Sequence, residues 1–94
     1  PPLRSGRDLD GLRRGIADGN LSAICSDHQP HEADAKLAPF CVTEPGLSAL
    51  ETLLPLSLRL VHDDVLDLPT LIARLTSGPA DILGRPVGTL QTGA

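Results

Sequence analysis

Ninety-four residues with a net charge of -4 suffice for one small domain at most. The acidic balance argues against nucleic acid, whose phosphates need a basic face, and no apolar run approaches the ~18 residues of a membrane span. Phe40 is the one aromatic residue, and there is no Trp, Tyr or Met, so the core falls to Leu, Ile, Val and Ala. Nine prolines and nine glycines break the chain into short elements. Short Leu-rich pieces need something larger to pack against, and the chain is therefore expected to be a piece of a bigger α/β enzyme. Two cysteines without a dense framework predict reduced thiols in a cytoplasmic protein.

Pro1-Pro2-Leu3-Arg4 is expected to be extended, because each proline fixes its own φ and restrains its predecessor. Leu9, Leu12 and Ile16 then recur at one-face helical spacing, with Asp8 as N-cap and Gly19 as the stop. The cluster Arg4, Arg7, Arg13 and Arg14 is diluted by Asp8 and Asp10 and reads as a solvated face. Leu21 to Cys25 is short and almost wholly apolar, which predicts a strand covered on both faces as in a parallel sheet. Such a strand has no sheet partner here, so its pairing groups point outside the chain.

Residues 26–46 read as a long polar loop, and loops of this length are usually functional. Leu47 to Val61 is predicted as a helix buried over most of its circumference, kinked by Pro55. Asp67 caps a cleaner amphipathic helix with the stripe Leu68, Leu71, Ile72 and Leu75. Pro79 begins a short last helix that Gly84 ends, and the tail from Arg85 to Ala94 reads as loop with room for a short strand.

Asp27 and His31 fall just past the C-terminal end of the predicted strand. In an α/β barrel that is the face where active sites are assembled. A carboxylate there can ligate a metal or take a proton, and an imidazole can hold a substrate carboxylate or donate a proton. The plainer alternative is that Asp27 caps a turn while His28 and His31 lie on the surface. A third reading is a zinc site of Cys25, His28, His31 and Cys41, although that spacing is no familiar finger pattern.

Several segments resemble the dihydroorotases. They are Pro1-Pro2-Leu3-Arg4-Ser5, Ser26-Asp27-His28-Gln29-Pro30-His31, and the run from Glu44-Pro45-Gly46 through Leu50-Glu51-Thr52 to Leu53-Leu54-Pro55-Leu56. Thr76 to Gly84 is similar to the helix that precedes the family's closing β segment. Hydantoinases and allantoinases share the Pro-Pro-Leu-Arg and Asp-His pieces, and His31 tilts the choice toward dihydroorotase.

The resemblance implies that residues 1–94 are the C-terminal portion of a (β/α)8 TIM-like metallohydrolase barrel, mostly helical as an isolated piece. Residues 27–46 would be its active-site loop. The implied activity is zinc-dependent interconversion of N-carbamoyl-L-aspartate and L-dihydroorotate in pyrimidine biosynthesis. It makes Asp27 a zinc ligand and the general acid/base, His31 a contact of the substrate carboxylate, and Pro45 and Gly46 backbone supports of the pyrimidine ring. The family's paired metal-binding histidines are absent from these residues, so the piece alone is expected to be inactive. The implied partners are the small-molecule substrate and either further copies of the chain or aspartate transcarbamoylase. The last of these belongs to a second reading, a non-catalytic dihydroorotase-like subunit that scaffolds the transcarbamoylase.

Overall fold

A computed structural model of the chain describes residues 3–93. The expected extension at Pro1 and Pro2 lies outside the described residues. Four α-helices follow in order: α1 (Gly6–Ala17), α2 (Leu53–His62), α3 (Leu68–Leu75) and α4 (Ser77–Ile82). Two 3₁₀ turns, Ala33–Lys36 and Phe40–Val42, interrupt the segment between α1 and α2, so the long loop carries local order of its own.

Helix α1 is capped by Ser5 rather than Asp8. Ser5 accepts from the Asp8 backbone N–H while the Asp8 carboxylate takes the Ser5 N–H, a reciprocal capping box. Asp8 is therefore the third helical residue, and its carboxyl sits below its ordinary value because Ser5 hydrogen-bonds the charged form. At the other end Gly19 adopts φ +80 just past the Asp18 cap, the stop that the sequence signals.

Leu21 to Cys25 does not form the predicted strand. Among the described residues no strand forms, and the β-type pairing consists of one isolated parallel bridge between His28 and Leu47. The physical reason is the lack of a neighbouring strand to share a ladder. The segment instead lies along α3 and α4: Ile24 N–H donates to the Arg74 carbonyl at 2.9 Å, and Gly78 approaches the Ser22 carbonyl so closely that a Cβ would run into it.

The predicted helix from Leu47 begins only at Leu53. Ahead of that start the amides of Ala49 and Leu50 are bonded to the His28 ring, and Leu47 bridges to His28. Pro55 is the third helical residue, where a backbone N–H has no partner inside the helix, and the expected kink is not needed. Nor is α2 buried around its circumference: Leu54, Leu56 and Leu58 are exposed, and Ser57 is its buried residue.

Asp67 caps α3 as predicted, accepting from Thr70 N–H at 2.8 Å, and Thr70, through its side chain first and its N–H second, holds the Asp67 carboxyl below the ordinary range. Leu71 of that helix is 0% exposed and forms the core with Ile16 and Leu66, flanked by Ile24, Leu60, Val61, Val65 and Leu75. Helix α4 starts at Ser77, with Pro79 in its first turn, and ends before Gly84 at φ +62. The tail shows no strand within its described residues, 85–93.

An ion pair of 2.9 Å joins Arg13 of α1 to Asp63 at the end of α2. His62 first, and Arg13 after it, hold the Asp63 carboxyl below its ordinary value. The radius of gyration is 15.9 Å, whereas a compact domain of this length has about 12 Å. An apolar hollow of about 510 Å³ opens between α1, the 24–26 segment and α2, lined by Leu9, Ile24, Leu53, Leu56 and Leu60. No helix among the described residues is long and apolar enough to cross a membrane.

Candidate functional site

The segment after Cys25 enters the site through an unusual backbone turn. Asp27 has φ +46, the left-handed region that a side chain with a Cβ enters at a cost of about 1–3 kcal/mol. Asp is among the residues that tolerate it best. The Asp27 side chain is exposed and forms neither ion pair nor hydrogen bond with the described residues. Its carboxylate faces solvent.

His28 is anchored through one ring nitrogen. Its Nδ1 accepts from Ala49 N–H at 3.0 Å and from Leu50 N–H at 3.1 Å. Both donors are amides, so Nδ1 carries no hydrogen and the ring hydrogen resides on Nε2. Next along the chain, Gln29 N–H donates to the Leu47 carbonyl at 3.0 Å.

His31 donates from Nε2 to the Pro45 carbonyl at 3.0 Å, because a carbonyl can only accept. Lys36, the single lysine of the sequence, donates to the carbonyls of Glu44 and Gly46, the second at 2.7 Å. Four successive carbonyls, those of residues 44 to 47, are thus held by residues 29, 31 and 36. Gly46 lies at φ +112 against Gln29, whose backbone oxygen would stand 2.6 Å from an added Cβ. Only glycine fits there.

With the carbonyls of Pro45 and Gly46 taken, and Pro45 having no N–H, the Gly46 N–H is the polar backbone group of this pair without a partner among the described residues. The turn therefore offers a donor, suited to a carbonyl or carboxylate oxygen of a ligand.

The structure brings His31, Pro45 and Gly46 together and sets Asp27 at the entry of the same segment. It does not gather Cys25, His28, His31 and Cys41. No group of three or more His, Cys, Asp or Glu side chains is placed to hold a metal among the described residues, and His28 Nδ1 and His31 Nε2 are occupied by backbone partners. Asp27 is therefore at most one ligand of a zinc site, which takes about three or four protein ligands, and no such set is gathered among the described residues. The sequence reading missed Lys36 and the anchoring of His28. A sole lysine inside a loop already marked as functional was the available signal for the first. Nothing in the sequence signalled the second.

No family model matches the chain. Curated proteins do. Over 93 residues the chain is 60% identical to a dihydroorotase-like protein of Pseudomonas putida and 57% identical to one of Pseudomonas aeruginosa. Over the same length it is 52% identical to the dihydroorotase of Syntrophotalea carbinolica. Each match takes in 99% of the chain and 22% of the relative, so the chain spans about a fifth of the length of these proteins. Along its whole length the chain is a homologue of part of the dihydroorotases and dihydroorotase-like proteins.

Proposed function

We propose that the whole protein carrying this segment is a cytoplasmic dihydroorotase, a (β/α)8 hydrolase that interconverts L-dihydroorotate and N-carbamoyl-L-aspartate with zinc. The observation that carries this reading is the Asp27 carboxylate, left-handed and unpartnered beside an anchored histidine, within a chain homologous to dihydroorotases along its full length. Zinc, when bound, supplies Lewis-acid polarisation of a ring carbonyl and a more acidic water. Asp27 would offer it one carboxylate oxygen.

The remaining work falls to residues of this chain. Asp27 accepts a proton from the water that adds to the ring amide carbon. It returns that proton to the amide nitrogen as the C–N bond breaks, so the hydrolysis is balanced without a further acid. His31 holds the substrate carboxylate through the Nε2 hydrogen that it gives to Pro45 in the free chain. Gly46 N–H donates to an oxygen of the same ligand. Residues 27–46 form the wall that surrounds it and limits water. The test is steady-state hydrolysis of L-dihydroorotate by the whole protein and its Asp27→Ala variant. Unimpaired turnover in Asp27→Ala with full metal occupancy refutes the assignment.

A second reading is favoured by the comparisons in one respect. The relatives at 60% and 57% identity carry the name dihydroorotase-like, whereas those at 52% and 49% carry the name dihydroorotase. In this reading the whole protein is a non-catalytic subunit that scaffolds aspartate transcarbamoylase. Two results together would select it: no turnover of dihydroorotate with zinc supplied, and co-purification with the transcarbamoylase. A missing His-x-His pair in an early strand of the whole protein would point the same way.

A further inference from the structure

A left-handed aspartate keeps its conformation only when the residues on either side are held. Upstream of Asp27, Ile24 is tied to the end of α3 through the Arg74 carbonyl at 2.9 Å. Downstream, the next residue is His28, whose ring receives the Ala49 and Leu50 amides at 3.0 and 3.1 Å. The backbone reinforces this link, since Gln29 N–H donates to Leu47 at 3.0 Å. Ala49 is itself buried, so the anchor is a firm one.

We infer that His28 is the positioning residue for Asp27. By holding the peptide that follows the aspartate, it fixes the direction in which the carboxylate leaves the chain. The inference rests on the reading of Asp27 as the proton-transfer group. The two amides converge on the ring because residues 49 and 50 lie ahead of α2, where no helical carbonyl accepts them. One imidazole lone pair serves both. Acceptance at this point is the property used, and neither charge nor proton transfer is required of the ring. An asparagine carbonyl oxygen can stand near the position of Nδ1 and keep the acceptor. Leucine has similar bulk and removes it.

The test uses the whole protein, with steady-state dihydroorotate hydrolysis and crystal structures of His28→Asn and His28→Leu. In His28→Leu, kcat should fall about 10- to 100-fold with little change in KM, the scale of a misplaced reacting group. Asp27 should also leave the left-handed region. His28→Asn should recover most of kcat and retain the Asp27 conformation. Equal impairment of both variants, or parental kcat in His28→Leu, overturns the inference. If His28→Leu does not fold, His28→Gln takes its place, its carbonyl lying one methylene further out. Activity in that variant equal to His28→Asn overturns the inference as well. A parent without turnover removes the catalytic reading, and the crystal structures then decide the positioning claim separately. An unchanged left-handed Asp27 in the Leu or Gln variant overturns it, and its loss there with retention in Asn supports it.

Discussion

His31 Nε2 stands 3.0 Å from the Pro45 carbonyl oxygen, so two residues assigned to one site from sequence alone are bonded to each other across the loop. The bond closes the segment that Pro45 and Gly46 present to a ligand. His31→Ala should therefore loosen this turn and remove a contact to an anionic substrate. Hydrogen bonds to charged groups contribute about 1.5–3 kcal/mol, so KM for dihydroorotate should rise by about 10- to 100-fold. Steady-state kinetics that show the loss confined to kcat would contradict the binding role.

Asp27 sets stability against function. Asn and Gly both accept φ +46 at least as readily as Asp, so Asp27→Asn and Asp27→Gly should melt at or above the temperature of the parent. Turnover should nevertheless fall by about 10²–10⁴-fold, the usual contribution of a general acid/base group. Thermal melts and kinetics on the same preparations check both halves. A variant that melts lower and keeps its rate reverses the assignment.

Three glycines should respond differently to alanine. Gly46→Ala meets Gln29 and an unfavourable φ, with an expected cost of about 1–3 kcal/mol. Gly78→Ala meets the Ser22 carbonyl, where backbone must shift, and should be destabilising too. Gly11 lies inside α1 with nothing within 4 Å of an added Cβ, so Gly11→Ala should stabilise by about 0.5–1 kcal/mol. Denaturant titrations of the three variants give the order directly.

Lys36 holds two carbonyls of the turn at once. Replacing it by Met should leave the helices intact while residues 44–46 open more often. Amide exchange at residues 44–48 is the measurement, and a protection pattern identical to the parent would remove Lys36 from the clasp. Lys36→Arg keeps donors at the end of a long side chain and should retain part of the protection.

Acid should weaken the fold through three carboxylates. Asp8, Asp63 and Asp67 all sit below their ordinary value of 3.8, held there first by Ser5, His62 and Thr70 respectively. Between the ordinary value and the lowered one, the unfolded chain binds more protons than the folded chain. Their stabilisation is therefore complete above the ordinary value and is lost as pH falls through the lowered values. The melting temperature should be flat near neutrality and drop below about pH 4. Asp67→Asn keeps an N-cap acceptor without a titrating group, so its acid decline should be shallower. An equal slope would exclude Asp67 from the effect.

Local signals in the sequence determined the helices, their stops and one of their caps. Asp67, Gly19 and Leu71 act within a few residues of themselves, and the structure places them as the pattern predicts, whereas Leu68 and Ile72 of the same stripe stay exposed. The positions of Asp27 and His31 also stood out, because a long loop after an apolar run is unusual whatever surrounds it. Tertiary structure decided the rest. Whether Leu21 to Cys25 is a strand depends on a neighbour that a single segment cannot supply, and here its Ile24 amide goes to α3 instead. The approach to α2 is also set from a distance: ahead of its start at Leu53, the Ala49 and Leu50 amides go to His28, 21 and 22 residues away in sequence. The clasp of Lys36 and His31 on residues 44–46 likewise needs the chain to turn back on itself. Periodicity records which face of an element is apolar, but the partner of a hydrogen bond across a loop is set by the path of the chain, which no local pattern carries.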